Sequence, residues 1–439
     1  MPSRTDLAPV PFLTHGSQRL PLELPGEVSL LVPRGPAPAA SERELVAGAL
    51  DAPLAAPPLE VLARGQRSAI VLIACRTRRT GSAVFLPEIA ARLRRAGIPD
   101  ERILVYAATG THDNWRAADA PLLAGEDCAR RLRFRGHDCR ADLEPVGRTS
   151  RGHEVRLARA YLEADLRIAT GRVTHHYFAG FTGGRKAVVP GVAGFDTIVR
   201  NHRLAVADGA HVDLHPGARA GRLAGNPVHE DMLEAARLAP PHFTLCTVLD
   251  AQDRMVGACG GGLEESHAAA VAQVAERDAF RVESPADWLL LSCGGAHCDV
   301  NAVQSLKAVL NSYRAVRPGG AIVLSAECPE GMAPWLRELC AVPPGELDAR
   351  IARGELRHPH NALWLRRVRA RARVFMVGKL AEDEVRALGF EKAGSLAHAL
   401  ALAREHTGPP RRTLVVPYGN VTVVRGAGED ASHAGAEDA

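Results

Sequence analysis

The sequence has few of the features that a nucleic-acid or membrane partner requires. Aromatic residues make up 4% of its 439 residues, and the formal net charge is only +4 with histidine neutral. Nucleic-acid-binding surfaces concentrate basic residues, often beside aromatic side chains, and no such patch is visible. The longest apolar runs, such as Ala69–Cys75, are too short to span a bilayer. We therefore expect no nucleic-acid partner and no membrane partner.

A secretion signal and a disulfide framework are missing from the pattern as well. Residues 1–27 are polar and proline-rich, without the apolar core of a signal peptide. The nine cysteines are scattered, and the closest pair, Cys293 and Cys298, lacks CxxC spacing. Free thiols are typical of a reducing compartment, so we expect a cytoplasmic protein.

Lysine is scarce, because only four of the 54 basic residues are lysines and the other 50 are arginines. Where a positive charge alone is needed, this chain uses arginine. A retained lysine is therefore a candidate for chemistry that a guanidinium cannot perform, such as nucleophilic attack by a primary amine. We apply this argument to Lys186 and Lys307. We interpret Lys379 and Lys392 as ordinary lysines that are present by chance and have no special chemical role.

Strand and helix patterns alternate along the chain, which predicts an α/β fold. A capping box at Ser41 and Glu44 begins a helix that runs to about Leu50. In the first half, the predicted strands are Val28–Val32, Ala69–Cys75, Ile103–Ala107 and Leu166–Thr170, and the predicted helices include Phe85–Arg95 and Val155–Ala164. In the second half, the predicted strands are Trp288–Ser292, Ala321–Ser325, Val374–Val377, Thr413–Val416 and Val421–Val424, and the predicted helix is Ala302–Ala315.

These elements predict two domains, each a mostly parallel sheet with flanking helices. We place an N-terminal cofactor-binding domain at residues 1–284 and a C-terminal domain at residues 285–410. Residues 411–425 are expected to return to the N-terminal domain, and the small acidic residues 426–439 are expected to be a disordered tail. The cofactor and active site are expected in the cleft between the domains.

The segment from His176 to Gly194 breaks the alternation, because it is rich in glycine and has no amphipathic period. Gly183 and Gly184 leave backbone N–H groups free to wrap an anion, and Lys186 follows two residues later. The motif is not a Walker A loop, since the spacing and the Ser or Thr after the lysine are missing. Long structured loops in such folds usually carry function.

Three histidines accompany this loop. His176 and His202 flank Lys186, and only one of the adjacent His175 and His176 can face a site from a strand. His112 follows the buried strand that ends at Ala107, at the sheet edge where doubly wound folds bind ligands. Imidazole is a common metal ligand and a common general base, so these residues suit an anionic cofactor that carries a metal.

Two further groups suit an anionic substrate. Arg76 and Arg78 follow the strand that ends at Cys75, where a guanidinium can hold a carboxylate with two hydrogen bonds. Gln304 and Lys307 are three residues apart near the start of a helix, which places them on one face beside its positive end.

These motifs together resemble the nickel-pincer lactate racemase family, over about residues 28–424. The resemblance rests on His176-x-x-Ala-Gly-Phe-Thr-Gly-Gly-Arg-Lys186, Pro190-Gly191, Asn201-His202, Gly110-Thr111-His112, Thr77-Arg78 and Gln304-x-x-Lys307. It implies a racemase or epimerase of 2-hydroxy acids. Its cofactor would be the nickel-pincer nucleotide, nickel pyridinium-3,5-bisthiocarboxylic acid mononucleotide, loaded after synthesis by dedicated cofactor-synthesis enzymes.

The resemblance also assigns roles to residues of this chain. Lys186 would carry the nucleotide covalently, in a loop formed with Thr182, Gly183 and Gly184, and His202 would complete the nickel coordination. His112 and His176 would be the alternating acid and base on opposite faces of the substrate, while hydride passes to the cofactor and back through a 2-keto acid. Arg78, Gln304 and Lys307 would bind the substrate's carboxylate and developing oxyanion.

The chain departs from the family pattern at three positions. Cys75 stands where the family usually has an acidic residue, Arg79 where it has proline, and Val303 where an aromatic residue is expected. These differences concern the pocket, and Arg79 could recognise a second polar or anionic group. Three alternatives stay open: an epimerase of a sugar acid or other long hydroxy acid, a nucleotide-binding protein without turnover, and a zinc hydrolase that uses the histidines.

Overall fold

The computed structural model describes residues 10–35, 38–76, 78–112, 115–207 and 212–426. They fall into two compact units. The larger unit is Arg34–Arg277, and the smaller unit combines Met1–Pro33 with Asp278–Ala439.

The strands are numbered along the chain. They are β1 (Phe12–His15), β2 (Gln18–Pro21), β3 (Glu27–Leu30), β4 (Ala69–Ile73), β5 (Ile103–Ala107), β6 (Arg133–Gly136), β7 (Leu143–Arg148), β8 (Glu154–Ala158), β9 (Leu166–Arg172), β10 (His175–His176), β11 (Gly180–Phe181), β12 (Phe243–Leu249), β13 (Met255–Gly261), β14 (Ala279–Arg281), β15 (Ala286–Ser292), β16 (Val316–Ser325), β17 (Ala372–Val377), β18 (Glu391–Ala393), β19 (Arg412–Val416) and β20 (Val423–Arg425).

The α-helices are numbered in the same way. They are α1 (Glu42–Asp51), α2 (Leu59–Ala63), α3 (Ser82–Arg95), α4 (Ala120–Ala124), α5 (Glu126–Arg131), α6 (Arg159–Glu163), α7 (Phe195–Arg203), α8 (Pro227–Arg237), α9 (Leu263–Asp278), α10 (Ala302–Ser312), α11 (Pro334–Cys340), α12 (Pro344–Ala352), α13 (Pro359–Arg371), α14 (Glu382–Ala387) and α15 (Leu396–Thr407). Short 3-10 turns occur at Asp100–Arg102, Ala117–Asp119, Gly184–Ala187 and Tyr313–Ala315.

The larger unit is built on a six-stranded sheet in the order β13-β12-β9-β4-β5-β6. Every neighbouring pair is parallel except β12 with β13. Strand β4 is buried throughout, because Val71 and Ile73 enter one hydrophobic core while Ile70 and Leu72 enter the other. Since successive side chains of a strand point to opposite faces, both faces of this sheet are covered.

The smaller unit has its own six-stranded sheet, in the order β18-β17-β16-β15-β19-β3, and all its pairs are parallel. Its core joins Leu290, Val323 and Phe375 from the sheet to Ala399 and Ala403 of α15. The predicted fold class, two α/β units with mostly parallel sheets, is therefore confirmed.

Most predicted elements occur at the expected positions, but Val155–Ala164 is not one helix. Its first part is strand β8, which pairs with β7 in an antiparallel hairpin, and only Arg159–Glu163 is helical. Residues Glu154 to Leu157 alternate between exposed and buried, as a half-buried strand requires. The capping box is confirmed: the Ser41 hydroxyl accepts from the Glu44 N–H, and the Glu44 carboxylate accepts from the Ser41 N–H.

The expected domain boundaries need correction at both ends of the chain. Residues 411–425 do not return to the N-terminal domain, because β19 pairs with β15 and β3 in the sheet of the smaller unit. The N-terminal segment up to Pro33 belongs to that unit too, although it was assigned to the domain at 1–284. Both segments belong to the smaller unit because β3 and β19 are hydrogen-bonded to each other. These strands are far apart in sequence, and local patterning does not encode such pairing.

Beyond Gly426 the predicted tail lies outside the described residues. Within the described part of the chain, no helix combines the length and the apolar character that crossing a bilayer demands.

Candidate active site in the larger unit

The glycine-rich loop is tied to the end of strand β9. The chain turns back after Arg172 into the small hairpin β10–β11, in which His175 pairs with Phe181 and His176 with Gly180. The Thr182 hydroxyl donates to the Arg172 carbonyl oxygen at 2.8 Å and accepts from the Thr174 N–H at 2.9 Å. Thr182 therefore holds the loop against the sheet, and its expected contact with a cofactor stays a prediction.

Gly183 and Gly184 are required by close packing as well as by backbone conformation. Both have positive φ, +76° and +51°. A Cβ on Gly183 would lie 2.6 Å from Val173 Cγ2, and one on Gly184 would lie 2.9 Å from the His267 ring. Any side chain here would displace the loop, so the close packing and the positive φ both require glycine, and the role of these residues in holding an anion stays a prediction.

The Lys186 amine lies beside His176, with Nζ 3.4 Å from Nε2. The other ring nitrogen of His176, Nδ1, accepts the Ala179 N–H at 3.3 Å. A neutral imidazole whose Nδ1 accepts carries its proton on Nε2, so Nε2 donates to Nζ. In that tautomer the contact favours the neutral amine, because an ammonium has no lone pair and cannot accept a hydrogen bond. His175 instead packs its ring on Phe181, which confirms that only one of the two histidines faces the lysine.

The ring of Phe178 joins the site residues. Its centroid lies 4.6 Å from the His176 ring, 5.1 Å from the His202 ring and 5.8 Å from Lys186 Nζ. The Phe178 side chain is almost fully buried, and the Asn226 side-chain amide donates to its carbonyl oxygen at 2.9 Å. One aromatic side chain thus brings the three expected cofactor and acid–base groups of this loop together.

Burial, followed by the positive charges of Arg185 and Arg78, lowers the pKa of the Lys186 amine well below its usual value of 10.5. This direction agrees with the hydrogen-bond geometry, because burial disfavours the charged form of an amine. A neutral primary amine is the nucleophilic form that covalent attachment needs.

His202 stands in the last turn of helix α7, and its neighbour Asn201 anchors that helix. The Asn201 amide donates to Asp231 Oδ2 at 2.9 Å and to the Val228 carbonyl at 3.1 Å, both on α8. Asn201 is 1% exposed, so these hydrogen bonds are shielded from water. The Asn-His pair therefore combines an anchor and a potential ligand.

His112 reaches this part of the unit through the loop after β5. The Gly110 N–H donates to the Gly191 carbonyl oxygen at 3.0 Å, which links this turn to the glycine-rich segment. The Nδ1 atom of His112 lies 3.8 Å from the Cys75 sulfur. In the tautomer that directs Nδ1–H to sulfur, His112 keeps a lone pair on Nε2, as a general base requires.

Arg78 and Arg79 differ in their surroundings. The Arg78 backbone N–H closes a turn on the Cys75 carbonyl at 2.9 Å, and its charge bears on both Lys186 and Tyr177. Arg79 is more than half exposed and lies 3.7 Å from Asp253, which also pairs with Arg172 at 2.8 Å. The pairing with Asp253 gives Arg79 a structural partner, and the expected role of Arg78 as a carboxylate receptor stays a prediction.

Gln304 and Lys307 belong to the smaller unit. They lie in the first turns of α10, where Asn301 caps the helix by accepting the Gln304 N–H at 3.1 Å. The Lys307 amine donates to the Gln304 side-chain oxygen at 2.6 Å, so the predicted common face is confirmed. Their contact with substrate stays a prediction.

Two site residues were not found by sequence reasoning. His267 on α9 lies 2.9 Å from both the Arg185 guanidinium and the Thr182 carbonyl oxygen, and Asn226 at the start of α8 holds the Phe178 carbonyl. Both lie far from the loop in sequence and belong to no local motif. Only the N-cap preference for asparagine before Pro227 could have drawn attention to Asn226.

The residues present fit a nickel-pincer nucleotide. The two glycines leave no room for a Cβ and so bring the loop backbone close to its neighbours, and burial with two nearby cations lowers the pKa of the lysine amine. Among the described residues, no three His, Cys, Asp or Glu side chains converge on a possible metal position. A metal ion held by His202 therefore needs ligands from a cofactor, and carbon and sulfur donors suit nickel. The same observation leaves a zinc hydrolase without a protein-built metal site in the described part of the chain.

Comparison with known proteins agrees with this geometry over most of the chain. The lactate racemase N-terminal domain matches residues 15–213, and the lactate racemase C-terminal domain matches residues 282–424. This chain belongs to the lactate racemase family. It is accordingly an isomerase of the racemase type.

Two relatives are named lactate racemases. The protein from Thermoanaerobacterium thermosaccharolyticum is 29% identical over 428 residues, covering 94% of this chain and 98% of the relative. The protein from Lactiplantibacillus plantarum is 30% identical over 396 residues, covering 88% of this chain and 91% of the relative. The similarity therefore extends across both units.

Solved structures agree. The lactate racemase apoprotein from T. thermosaccharolyticum matches with a TM-score of 0.84 and 27% identity, covering 95% of this chain and all of that chain. A protein from Thermotoga maritima matches with a TM-score of 0.64 and 16% identity, over 84% of this chain and 97% of the other, which indicates a shared fold.

Proposed function

We propose that this protein racemises a 2-hydroxy carboxylic acid of the lactate type, using His112 and His176 around a nickel-pincer nucleotide attached to Lys186. The observation that carries this proposal is the hydrogen bond between His176 and a neutral Lys186 amine in the glycine-rich loop. It places an acid–base group beside a nucleophile able to form a covalent link. The two relatives named lactate racemases make lactate the first substrate to test.

Lys186 would hold the nucleotide, with Gly183 and Gly184 lining its anionic part, and His202 would bind the nickel. When bound, the nickel-pincer nucleotide supplies reversible hydride acceptance at C2 of the substrate, which a protein side chain cannot provide.

The two histidines have complementary resting states. His176 accepts the Ala179 N–H at Nδ1, so its Nε2 carries the ring proton and can donate a hydrogen bond. To return a proton as an acid, the ring would have to become an imidazolium, in which Nδ1 is protonated and releases the Ala179 N–H. His112 with Nδ1 directed at Cys75 keeps a lone pair on Nε2 and can act as a base. An acylated Lys186 nitrogen no longer accepts a hydrogen bond, so attachment would free the His176 Nε2–H for a substrate oxygen. One histidine would take the hydroxyl proton from one enantiomer, and the other would return a proton to its mirror image.

Arg78 would orient the substrate by holding its carboxylate, the role for which a guanidinium fork is best suited. A planar 2-keto acid held through this carboxylate could turn its C2 carbonyl about the C1–C2 bond and present its other face, which would give inversion. Gln304 and Lys307 would stabilise the negative charge that develops on the C2 oxygen. The expectation that the smaller unit closes the site stays a prediction.

The test is intact mass analysis of protein produced together with the cofactor-synthesis enzymes and nickel, beside Lys186→Arg. We expect a nucleotide-sized adduct with one nickel on the wild type and none on the variant. The loaded protein is then given single enantiomers of lactate, of longer hydroxy acids and of dicarboxylic hydroxy acids, and the products are separated by chiral chromatography.

His112→Ala and His176→Ala, loaded in the same way, should each lose turnover by about 100-fold or more, the usual contribution of general acid–base catalysis. If the wild type gains no adduct in cells that load a known lactate racemase, the proposal is wrong. If the adduct forms and the loaded protein converts sugar acids but not lactate, the proposed reaction stands and the substrate is a sugar acid.

A further inference from the structure

Arg185 is a buried cation that forms no ion pair with a carboxylate of the described residues. Its side chain is 1% exposed. Its Nη2 donates to the carbonyl oxygens of Ala179 and Phe181 at 2.9 and 3.0 Å, and its Nη1 lies 2.9 Å from His267 Nε2. A buried charge without a counter-charge is costly, so its retention beneath this loop calls for a physical reason.

His267 is kept in the form that suits this arginine. Burial, followed by the Arg185 charge, lowers the pKa of His267 well below its usual value, so the ring is neutral. The His267 Nε2 atom lies 2.9 Å from both Arg185 Nη1 and the Thr182 carbonyl oxygen, so it accepts a hydrogen bond from the guanidinium in one tautomer and donates to the carbonyl in the other. An imidazolium would repel the guanidinium in either arrangement. The ring also fills the space in front of Gly184, where a Cβ would approach it to 2.9 Å. Arg185 is thus fixed by two carbonyls and one neutral ring.

Arg185 is the residue directly before Lys186. After burial, the charge of its guanidinium is the largest influence that lowers the pKa of the Lys186 amine. The contacts of His176 separately favour a lone pair on Lys186 Nζ, because the Ala179 N–H donates to Nδ1 and the tautomer that accepts it carries its proton on Nε2, 3.4 Å from Nζ. Position and hydrogen bonding therefore both favour the same neutral amine.

The other groups facing this loop are cationic or neutral. Arg78, from the turn after β4, is the second cation that bears on Lys186. Burial holds the remaining titratable groups uncharged: it lowers the pKa of His229 on α8 to about 3, and it raises the pKa values of Cys246 on β12 and of Tyr177. No group among these supplies the negative charge that would favour an ammonium.

We propose that Arg185, locked in place by His267, is a positioning residue that keeps Lys186 as a neutral amine accepting a hydrogen bond from His176. The Arg185 guanidinium repels a proton on Lys186, whereas a carboxylate near the amine would attract one. That this arrangement prepares Lys186 for the cofactor rests on the proposed function, whereas the state of the amine is a property of the unloaded protein alone.

The chain's four lysines make a direct test possible. The unloaded protein is treated with a small excess of acetic anhydride between pH 6 and 11, and acetylation of each lysine is read from its own peptide by mass spectrometry. Only neutral amines react, so each rate rises with pH until that amine is fully deprotonated. Lys379, whose side chain is 64% exposed and pairs with Glu327 at 2.6 Å, is the exposed comparison within the chain, and free Nα-acetyl-lysine in the same solution is the unpaired reference. Normalising each rate to its plateau removes differences in reagent access.

We expect the midpoint of Lys186 to lie at least one pH unit below that of Lys379, a tenfold larger neutral fraction at a given pH. In Arg185→Met the midpoint should move up by about one unit, while the other three lysines stay unchanged. His267→Gln, whose side-chain oxygen can still accept from the guanidinium, should keep the low midpoint. If Arg185→Met fails to fold by circular dichroism, Arg78→Met tests the same electrostatics and should raise the midpoint in the same direction.

A wild-type midpoint equal to that of free Nα-acetyl-lysine, or one that a folded Arg185→Met leaves unchanged, overturns the inference. Where Arg185→Met does not fold, a midpoint that Arg78→Met leaves unchanged overturns it. The outcome is separable from that of the proposed function. A nucleotide adduct on a lysine with an ordinary midpoint would keep the function and remove the role of Arg185. A low, Arg185-dependent midpoint without any adduct in loading cells would do the reverse.

Discussion

Replacing Phe178 with alanine should disable cofactor loading to a degree that the loss of stability does not explain. The ring lies within 5.1 Å of the His176 and His202 rings and 5.8 Å from Lys186 Nζ. Phe181 in the same loop is buried to a similar extent, but its ring packs on His175, at 4.8 Å. Phe181→Ala is therefore a matched control.

Both substitutions remove a fully buried phenyl ring, which lowers the free energy of unfolding by about 3–5 kcal/mol. Urea denaturation of the two unloaded variants should accordingly give similar losses. The fraction of protein that carries the adduct, measured by intact mass under conditions where both variants are folded, should fall at least about tenfold further in Phe178→Ala, since roughly 1.4 kcal/mol of lost preorganisation suffices for that factor. Equal loading of the two variants would refute the view that this ring organises the site.

Four further outcomes follow from individual contacts. Cys75→Ala should slow lactate turnover of the loaded enzyme by about tenfold, because the His112 imidazole loses the sulfur beside its Nδ1. This is a fraction of what general acid–base catalysis contributes, and Cys75→Ser should be less affected. Arg79→Ala should change the unfolding free energy by less than about 1 kcal/mol and leave the ratio of lactate to dicarboxylic turnover unchanged, because its ion pair is exposed; an altered ratio would place Arg79 in the pocket. Asn201→Ala should cost about 2–4 kcal/mol in urea denaturation, as two buried hydrogen bonds are lost and a carboxylate loses a donor. Lys186→Met should be more stable than the wild type at pH 7, and the difference should vanish as the pH rises through 10.5. The reason is that the pKa of Lys186 is lowered in the folded protein, so below pH 10.5 the unfolded wild type binds more protons than the folded one. A stability difference that does not change with pH would contradict this reasoning.

Prediction from the sequence was strongest where function rests on consecutive residues. The glycine-rich loop and Lys186 form one short motif, and the scarcity of lysine among 54 basic residues drew attention to that amine before any geometry was known. Periodicity also placed the buried strands, because β4 and β5 are apolar along their whole length. The helix expected at Val155–Ala164 was wrong, since pairing with β7 outweighed its local pattern.

The sequence by itself thus determined the fold class, the site loop and the residue types available for chemistry, because each depends on near neighbours in the chain. Tertiary structure alone decided that β3 and β19 join one sheet, and that His267 and Asn226 support the loop. The charge state of Lys186 belongs to the second group as well. It depends on burial, on the neighbouring Arg185 and on Arg78 from a distant turn, and both the burial and the approach of Arg78 exist only in the folded chain.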